Sequence, residues 1–226
     1  MKKLKFTLFE ILLYSFSVTA IIISFIFLGE GDYLTLIASI IGATALILIA
    51  KGYFVGQILI IIFALIYGVI SYFQRYYGEL ITYVCMSAPM AVIAMISWIK
   101  NPYKKTAEVK VAKPTKKQIA IMLIFTVLVT VAFYFILGVL NNANLIFSTI
   151  SVTTSFVAVY LTYLRSPYYA LAYAANDVIL IILWVTVGLT QPRYILMVIC
   201  FIVFLINDLY GFVSWLKMQK RQTSSN

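Results

Sequence analysis

The residues best placed to do chemistry are an adjacent amide and carboxylate, Asn176 and Asp177, inside the apolar run Ala174-Ala175-Asn176-Asp177-Val178-Ile179-Leu180-Ile181-Ile182-Leu183-Trp184. A carboxylate at the centre of a bilayer costs about 2.5–3.5 kcal/mol on insertion scales. A chain that carries this cost is expected to use the group in a polar site inside a helical bundle. Tyr173, Asp177, Leu180 and Trp184 follow one another at steps of four, three and four, which places them on one helix face. A carboxylate flanked by aromatic rings along one stripe can hold a flat cationic ring.

A second amide–carboxylate pair, Asn207-Asp208, lies in the last apolar run, where Asp208, Gly211 and Trp215 share a face. Asn207 is a candidate ligand for a substrate. Asp208, Gly211 and Trp215 are assigned a gating or structural role, with Asp208 expected to make an interfacial contact or an ion pair with Lys51 or Arg165. Upstream, Tyr53, Gln57, Ala64, Tyr67 and Ser71 recur on one face, which should point into the bundle. For Gln57, substrate binding and helix–helix hydrogen bonding stand level. Thr44, Ser148, Thr149, Ser151, Thr153, Thr154 and Ser155 are read as close-packing residues that bond their own backbone. Pro89 interrupts one run and Pro167 starts another, as kinks or hinges.

Several chemistries are excluded or lack a signature. The chain has no histidine, so a histidine base or histidine metal site is impossible. Cys85 and Cys200 have no motif spacing and read as apolar packers. There is no nucleophile–base pair, glycine-rich phosphate loop or metal cluster, so neither an enzyme nor a cofactor is expected. Paired arginines for a phosphate are also missing from the apolar runs, which suits the site to a neutral or cationic molecule.

The elements that must position these residues are transmembrane helices. Hydrophobic residues make up 64% of the chain and charged residues 11%, the composition of a polytopic membrane protein. The net charge of +10 sits in loops and tails, which indicates topology rather than nucleic-acid binding. Eight runs of about 17–23 residues can each cross about 30 Å of hydrocarbon: Leu8–Leu28, Tyr33–Ala50, Val55–Phe73, Leu80–Ile99, Ile119–Leu140, Leu145–Leu164, Tyr168–Thr190 and Tyr194–Leu216. The first lacks a small-residue cleavage site and reads as a retained helix.

Lys2, Lys3 and Lys5 precede the first run, whereas Glu30 and Asp32 follow it. Lys51, the segment Asn101–Lys117 with Lys104, Lys105 and Lys110, Arg165, and the terminal Lys217, Lys220 and Arg221 fall on one side of an eight-span topology. Arg193 is the exception, and the loop 74–79 holds one Arg balanced by one Glu. Both termini are therefore expected in the cytoplasm. Glu79 is placed in the short loop 74–79, Asn141 to Asn144 form an uncharged loop, and 101–117 reads as a solvated loop that touches anionic lipid.

An internal repeat emerges from matched residues. Ser97-Trp98-Ile99-Lys100 and Ser214-Trp215-Leu216-Lys217 lie 117 residues apart, as do Tyr67 and Trp184, and Lys51 and Arg165 lie 114 apart. The expected fold is all-α: an N-terminal helix (1–32), a three-helix repeat (33–100), the basic loop (101–117), a linker helix (118–144), a second parallel three-helix repeat (145–217) and a tail (218–226). Two-fold arrangements of this kind place a binding site near the midplane between the repeats.

Asn176-Asp177 followed by Trp184, the ending Asn207-Asp208-Leu209-Tyr210-Gly211-Phe212-Val213-Ser214-Trp215, and Gly56-Gln57-Ile58-Leu59 with Ile66-Tyr67-Gly68 together resemble the PnuC family of bacterial vitamin transporters. The likeness runs through nearly all of the chain, including Asn101-Pro102-Tyr103. It implies a fold related to the SWEET transporters, a homotrimer in the bacterial inner membrane, and facilitated diffusion of nicotinamide riboside that feeds NAD biosynthesis. A cytoplasmic kinase would trap the substrate. Relatives carry thiamine or riboflavin, and the family was long labelled as carrying the mononucleotide. A W-x-x-W run in the family stands here as Ala170 and Tyr173, with Tyr169 adjacent.

The residues fit this implication. Aromatic faces can stack the cationic pyridinium ring, the amides of Gln57, Asn176 and Asn207 suit ribose hydroxyls, and Asp177 balances the charge. The expected substrate-binding set is Gln57, Tyr67, Tyr173, Asn176, Asp177, Trp184 and Asn207. Rival readings are a channel or proton-coupled carrier with Asp177 as the protonating group, and a scaffold whose polar pairs only join helices.

Overall fold

The computed structural model describes residues 6–28, 32–104, 106–142 and 144–224. Lys2, Lys3, Lys5, Glu30, Lys105 and Ala143, used above for topology, lie outside the described residues. Helices α1 (Leu8–Leu28), α2 (Tyr33–Ala50) and α3 (Val55–Phe73) match the expected runs. The fourth span is composite. α4 (Tyr77–Ile81) passes through a π-helical stretch, Thr82–Ser87, into α5 (Ala88–Lys100). The cause is Pro89, which has no N–H to continue the α ladder; the Ala88 N–H instead reaches back to the Tyr83 carbonyl. Then come α6 (Lys116–Val139), α7 (Leu145–Tyr163), α8 (Tyr168–Gly188), a 3-10 turn at Pro192–Tyr194, and α9 (Ile195–Ser224). Among the described residues, eight spans are long and apolar enough to cross a membrane.

Local chemistry sets the ends. Asp32 caps α2 by accepting from Thr35 N at 3.1 Å, and Thr115 with Gln118 forms a capping box on α6. α9 packs on α8, α2 and α1, while α7 packs on α8 and α6. α6 buries only Met122 and Leu137 and otherwise turns apolar side chains outward.

Two apolar clusters divide the bundle. One gathers Phe63, Tyr67, Leu180, Trp184, Phe201 and Phe204; the other, at the end carrying the basic loop, gathers Ile49, Trp98, Tyr169, Ala170 and Trp215. On α3, α8 and α9 the polar residues Gln57, Asp177 and Asp208 fall in the stretch between them.

The basic end is joined by four matching bonds. Trp98 Nε1 donates to Thr162 O at 3.1 Å and Trp215 Nε1 to Ile49 O at 2.8 Å. Ser97 Oγ donates to Tyr163 O at 3.2 Å and Ser214 Oγ to Ala50 O at 2.8 Å. The two indoles meet with ring centroids 5.3 Å apart. The turn after α2 recurs after α7: Gly52 N bonds Ile49 O and Tyr53 N bonds Leu48 O, as Arg165 N bonds Thr162 O and Ser166 N bonds Leu161 O. Arg165 thus answers to Gly52 rather than to Lys51, and both have positive φ, 60° and 71°.

Three expectations need correction. α4 begins at Tyr77, so Glu79 is not in a loop but is the third residue of a span and fully buried. The 101–117 segment is not simply solvated. Val109 is 1% exposed, its N–H bonds Gly52 O at 3.0 Å, and the Val111 N–H bonds Gln222 Oε1 at 2.8 Å. α9 continues through the stretch expected as a tail, because Gln222 and Met218 are buried against that segment and Arg221 pairs with Glu108.

The end of α2 holds a part-buried ion pair. Lys51 Nζ lies 2.8 Å from both Glu10 oxygens, and Tyr210 Oη donates to Glu10 at 2.9 Å. Removing one partner of a buried pair typically costs about 3–5 kcal/mol, whereas replacing both is far milder. Lys51→Met is therefore expected to lower the thermal unfolding temperature of the detergent-solubilised protein, and adding Glu10→Gln should recover most of the loss.

Candidate functional site

α8 carries Asn176-Asp177 and α9 carries Asn207-Asp208. The packing of these helices brings the carboxyls of Asp177 and Asp208 within hydrogen-bond reach of each other. They are 3% and 4% exposed. Asp208 was expected to face Lys51 or Arg165. Instead it faces Asp177, because Glu10 of α1 already occupies Lys51, and Arg165 has no ion pair among the described residues. Two carboxyls in contact inside a low-dielectric bundle cannot both carry charge cheaply, so the arrangement favours a proton or a cation between them.

Asn176 is held in one orientation. Its Oδ1 accepts from Ser151 Oγ at 3.1 Å and from Thr154 Oγ1 at 2.9 Å. This leaves the buried Nδ2 group without a partner. An amide with its carbonyl engaged and its NH2 unpaired is a donor awaiting a hydroxyl or carbonyl. Thr154 also bonds Ile150 O, as a packing residue would. The role of Ser151 and Thr154 in orienting Asn176 is invisible in sequence, since it depends on how α7 lies against α8.

Gln57 is 2% exposed, and its Nε2 is unpartnered. Tyr173 stands beside both Asp208 and Asp177, with the Tyr169 ring edge-on to it at 6.2 Å. Tyr83 of the π stretch also faces Asp177.

Tyr67 and Trp184 are brought directly together: Trp184 Nε1 donates to Tyr67 Oη at 2.8 Å. Trp184 follows Asp177 by seven residues, about 10 Å along the α8 axis. The expected set therefore divides into two levels. Tyr173, Asn176 and Asp177 lie at one, which Asp208 joins from outside that set; Tyr67 and Trp184 lie at the other, farther from the basic end.

Asn207 points elsewhere with its amide nitrogen, which donates to Ser17 Oγ of α1 at 2.9 Å and to Val203 O at 2.8 Å; its Oδ1 is buried and unpartnered. α1 thus braces the residue next to Asp208. A Cβ on Gly211 would sit 3.6 Å from Tyr169 Oη and 3.7 Å from Ala170 Cβ, ordinary contact distances, so the approach of α9 to α8 there does not demand glycine. Trp215 is fully buried against the same Tyr169 ring, with centroids 4.9 Å apart.

Glu10, Ser17 and Glu79 escaped the sequence reading. A single carboxylate three residues into a 21-residue apolar run was a usable signal for Glu10. For Glu79 the obstacle was a helix boundary misplaced by three residues.

Residues 32–217 match the family described as nicotinamide mononucleotide transporter. The curated nicotinamide riboside transporter PnuC of Neisseria mucosa is 23% identical over 200 residues, covering 86% of this chain and 76% of that protein. The crystal structure of the vitamin B3 transporter PnuC shares the fold, with a TM-score of 0.83, 22% identity, and coverage of 96% of this chain and 94% of that one.

The indole–phenol bond has a measurable worth. Trp184→Phe strips the Tyr67 hydroxyl of its donor, and a buried unsatisfied polar group costs about 1–3 kcal/mol. Thermal unfolding should show that loss in Trp184→Phe, with Trp184→Phe/Tyr67→Phe closer to wild type than the single variant.

Proposed function

The chain belongs to the nicotinamide mononucleotide transporter family, and we propose that its substrate is nicotinamide riboside. The observation that carries this reading is the unpartnered Nδ2 of Asn176 beside the contacting carboxyls of Asp177 and Asp208, with Tyr173 and Tyr83 at hand. A pyridinium ring supplies the cation that the carboxyls lack, and ribose hydroxyls supply partners for Asn176 and Gln57. A phosphate would meet the carboxyls unfavourably, and among the described residues neither Asp177 nor Asp208 has a Lys or Arg in ion-pair contact. This favours the riboside over the mononucleotide. Thiamine, itself a cation, is the nearest rival vitamin; riboflavin offers no such charge.

Transport proceeds by alternating access, with α2–α5 and α7–α9 as two rocking units around the carboxyl level. The matching Trp and Ser bonds at the basic end support reading those units as a repeat. Uptake is facilitated diffusion, and phosphorylation by a cytoplasmic kinase retains the product. Both termini and the basic loop lie in the cytoplasm of a bacterial inner membrane, as the Lys and Arg distribution indicates, and the assembly is a homotrimer, in keeping with the family resemblance. A second reading, a proton-coupled carrier, draws on the Asp177–Asp208 contact; it requires uptake that collapses with the proton gradient.

Calorimetry on purified protein with the riboside, its mononucleotide, thiamine and riboflavin tests the assignment. Selective riboside binding is expected. Asn176→Ala and Asp177→Ala should each weaken that binding at least about tenfold, the scale of losing a hydrogen bond to a charged or buried partner. If both variants bind as wild type does, the site lies elsewhere.

A further inference from the structure

Glu79 has no part in the site described so far. It is fully buried near the start of the fourth span, and neither carboxylate oxygen has a hydrogen-bond partner. Ser151 stands beside it, yet the Ser151 hydroxyl donates to Asn176 Oδ1. Thr82 Oγ1, one helical turn on, and Ser71 Oγ are likewise buried and unpartnered. Among the described residues no Lys or Arg pairs with Glu79. Nor does any group of three carboxylates, cysteines or histidines exist there to hold a metal.

The surroundings are aromatic. Tyr67, Tyr76 and Tyr83 all lie within electrostatic reach of the carboxylate. The Tyr67 and Tyr83 rings meet edge-on at 4.4 Å, and Trp184 packs at 6.0 Å from Tyr67 and edge-on at 5.6 Å from Tyr76. The end away from the basic loop is closed over this group. Tyr76 Oη donates to Leu183 O at 2.9 Å, Asn144 Nδ2 donates to Thr186 Oγ1 at 3.1 Å, and Gly78 N donates to Asn142 Oδ1 at 2.9 Å. A buried carboxylate without a hydrogen-bond partner, with three tyrosines in electrostatic reach, has the chemistry of an organic-cation site.

We propose that Glu79 is a second station for the charge of a flat organic cation, at the level of Tyr67 and Trp184, which the substrate occupies before or after the Asp177–Asp208 level. The inference rests on the transport reading above and adds a residue and a level to it. Stations about 10 Å apart along α8 let a cation cross the bundle without leaving carboxylate company.

The test uses two substrates that differ in ring charge: nicotinamide riboside and its neutral 1,4-dihydro form, taken up by vesicles carrying the full-length protein. The readout is the ratio of kcat/KM for the cation to that for the neutral form. In Glu79→Gln this ratio should fall at least tenfold; in Glu79→Asp, which keeps the charge, it should stay within threefold of wild type. Tyr76→Leu, which removes an aromatic ring near Glu79 and none near Asp177, should lower it at least threefold, and it serves should Glu79→Gln fail to insert. An unchanged ratio in Glu79→Gln, or in Tyr76→Leu where the glutamine variant does not insert, overturns the assignment. Wild-type vesicles that take up neither compound refute the transport reading itself, and this inference with it, before any variant is compared.

Discussion

The bundle is organised around carboxyls that hydrocarbon should not tolerate. Asp177 and Asp208 touch one another instead of a lysine or arginine. Removing charged groups from water is among the costliest acts in folding, and it is offset only by pairing, protonation or a ligand. Everything nearby can be read as containment of that cost. Apolar clusters lie to either side, Tyr173 and Tyr169 line the pair, and Ser151 and Thr154 hold the neighbouring amide still. Elsewhere the chain supplies a cation: Glu10 has Lys51. One molecule thus holds a carboxylate paired with lysine at the membrane edge and, inside, two carboxyls that among the described residues have no such partner.

Much of this was legible in the sequence. Hydrocarbon thickness imposes a length on each span, so eight spans could be delimited from apolar runs, with α1, α2 and α3 placed to the residue. Inward faces were largely readable: Gln57, Ala64, Tyr67 and Ser71 are all buried, as a shared helical face requires, while Tyr53 lies ahead of α3 and is half-buried. The pairing of Tyr67 with Trp184, seen only as a matched spacing, turns out to be a direct hydrogen bond.

What the sequence hid were the consequences of helix rotation and contact. Nothing in a one-dimensional pattern says that Asn207 turns its amide nitrogen toward Ser17, or that Asp208 meets Asp177 rather than Lys51. The buried place of Glu79 was lost because the fourth apolar run was begun at Leu80, three residues late. Gly78 sits in a close contact: a Cβ there would lie 3.1 Å from a Leu137 methyl and 3.3 Å from Ser148 Cβ, so these side chains would have to give way slightly. Small residues in membrane helices carry packing information that hydropathy ignores.

The extension of α9 beyond the bilayer has a consequence in time. Gln222 bonds Val111 N and Val109 O, and Arg221 pairs with Glu108. Val111 leaves the ribosome 111 residues ahead of its partner, a lag of roughly 5–20 s at ordinary rates of synthesis. Throughout that interval the mid-chain segment has Gly52 to rest on but no clasp from α9. The segment linking the two halves is therefore secured only after α9 has been made, so that its fastening follows the synthesis of that span.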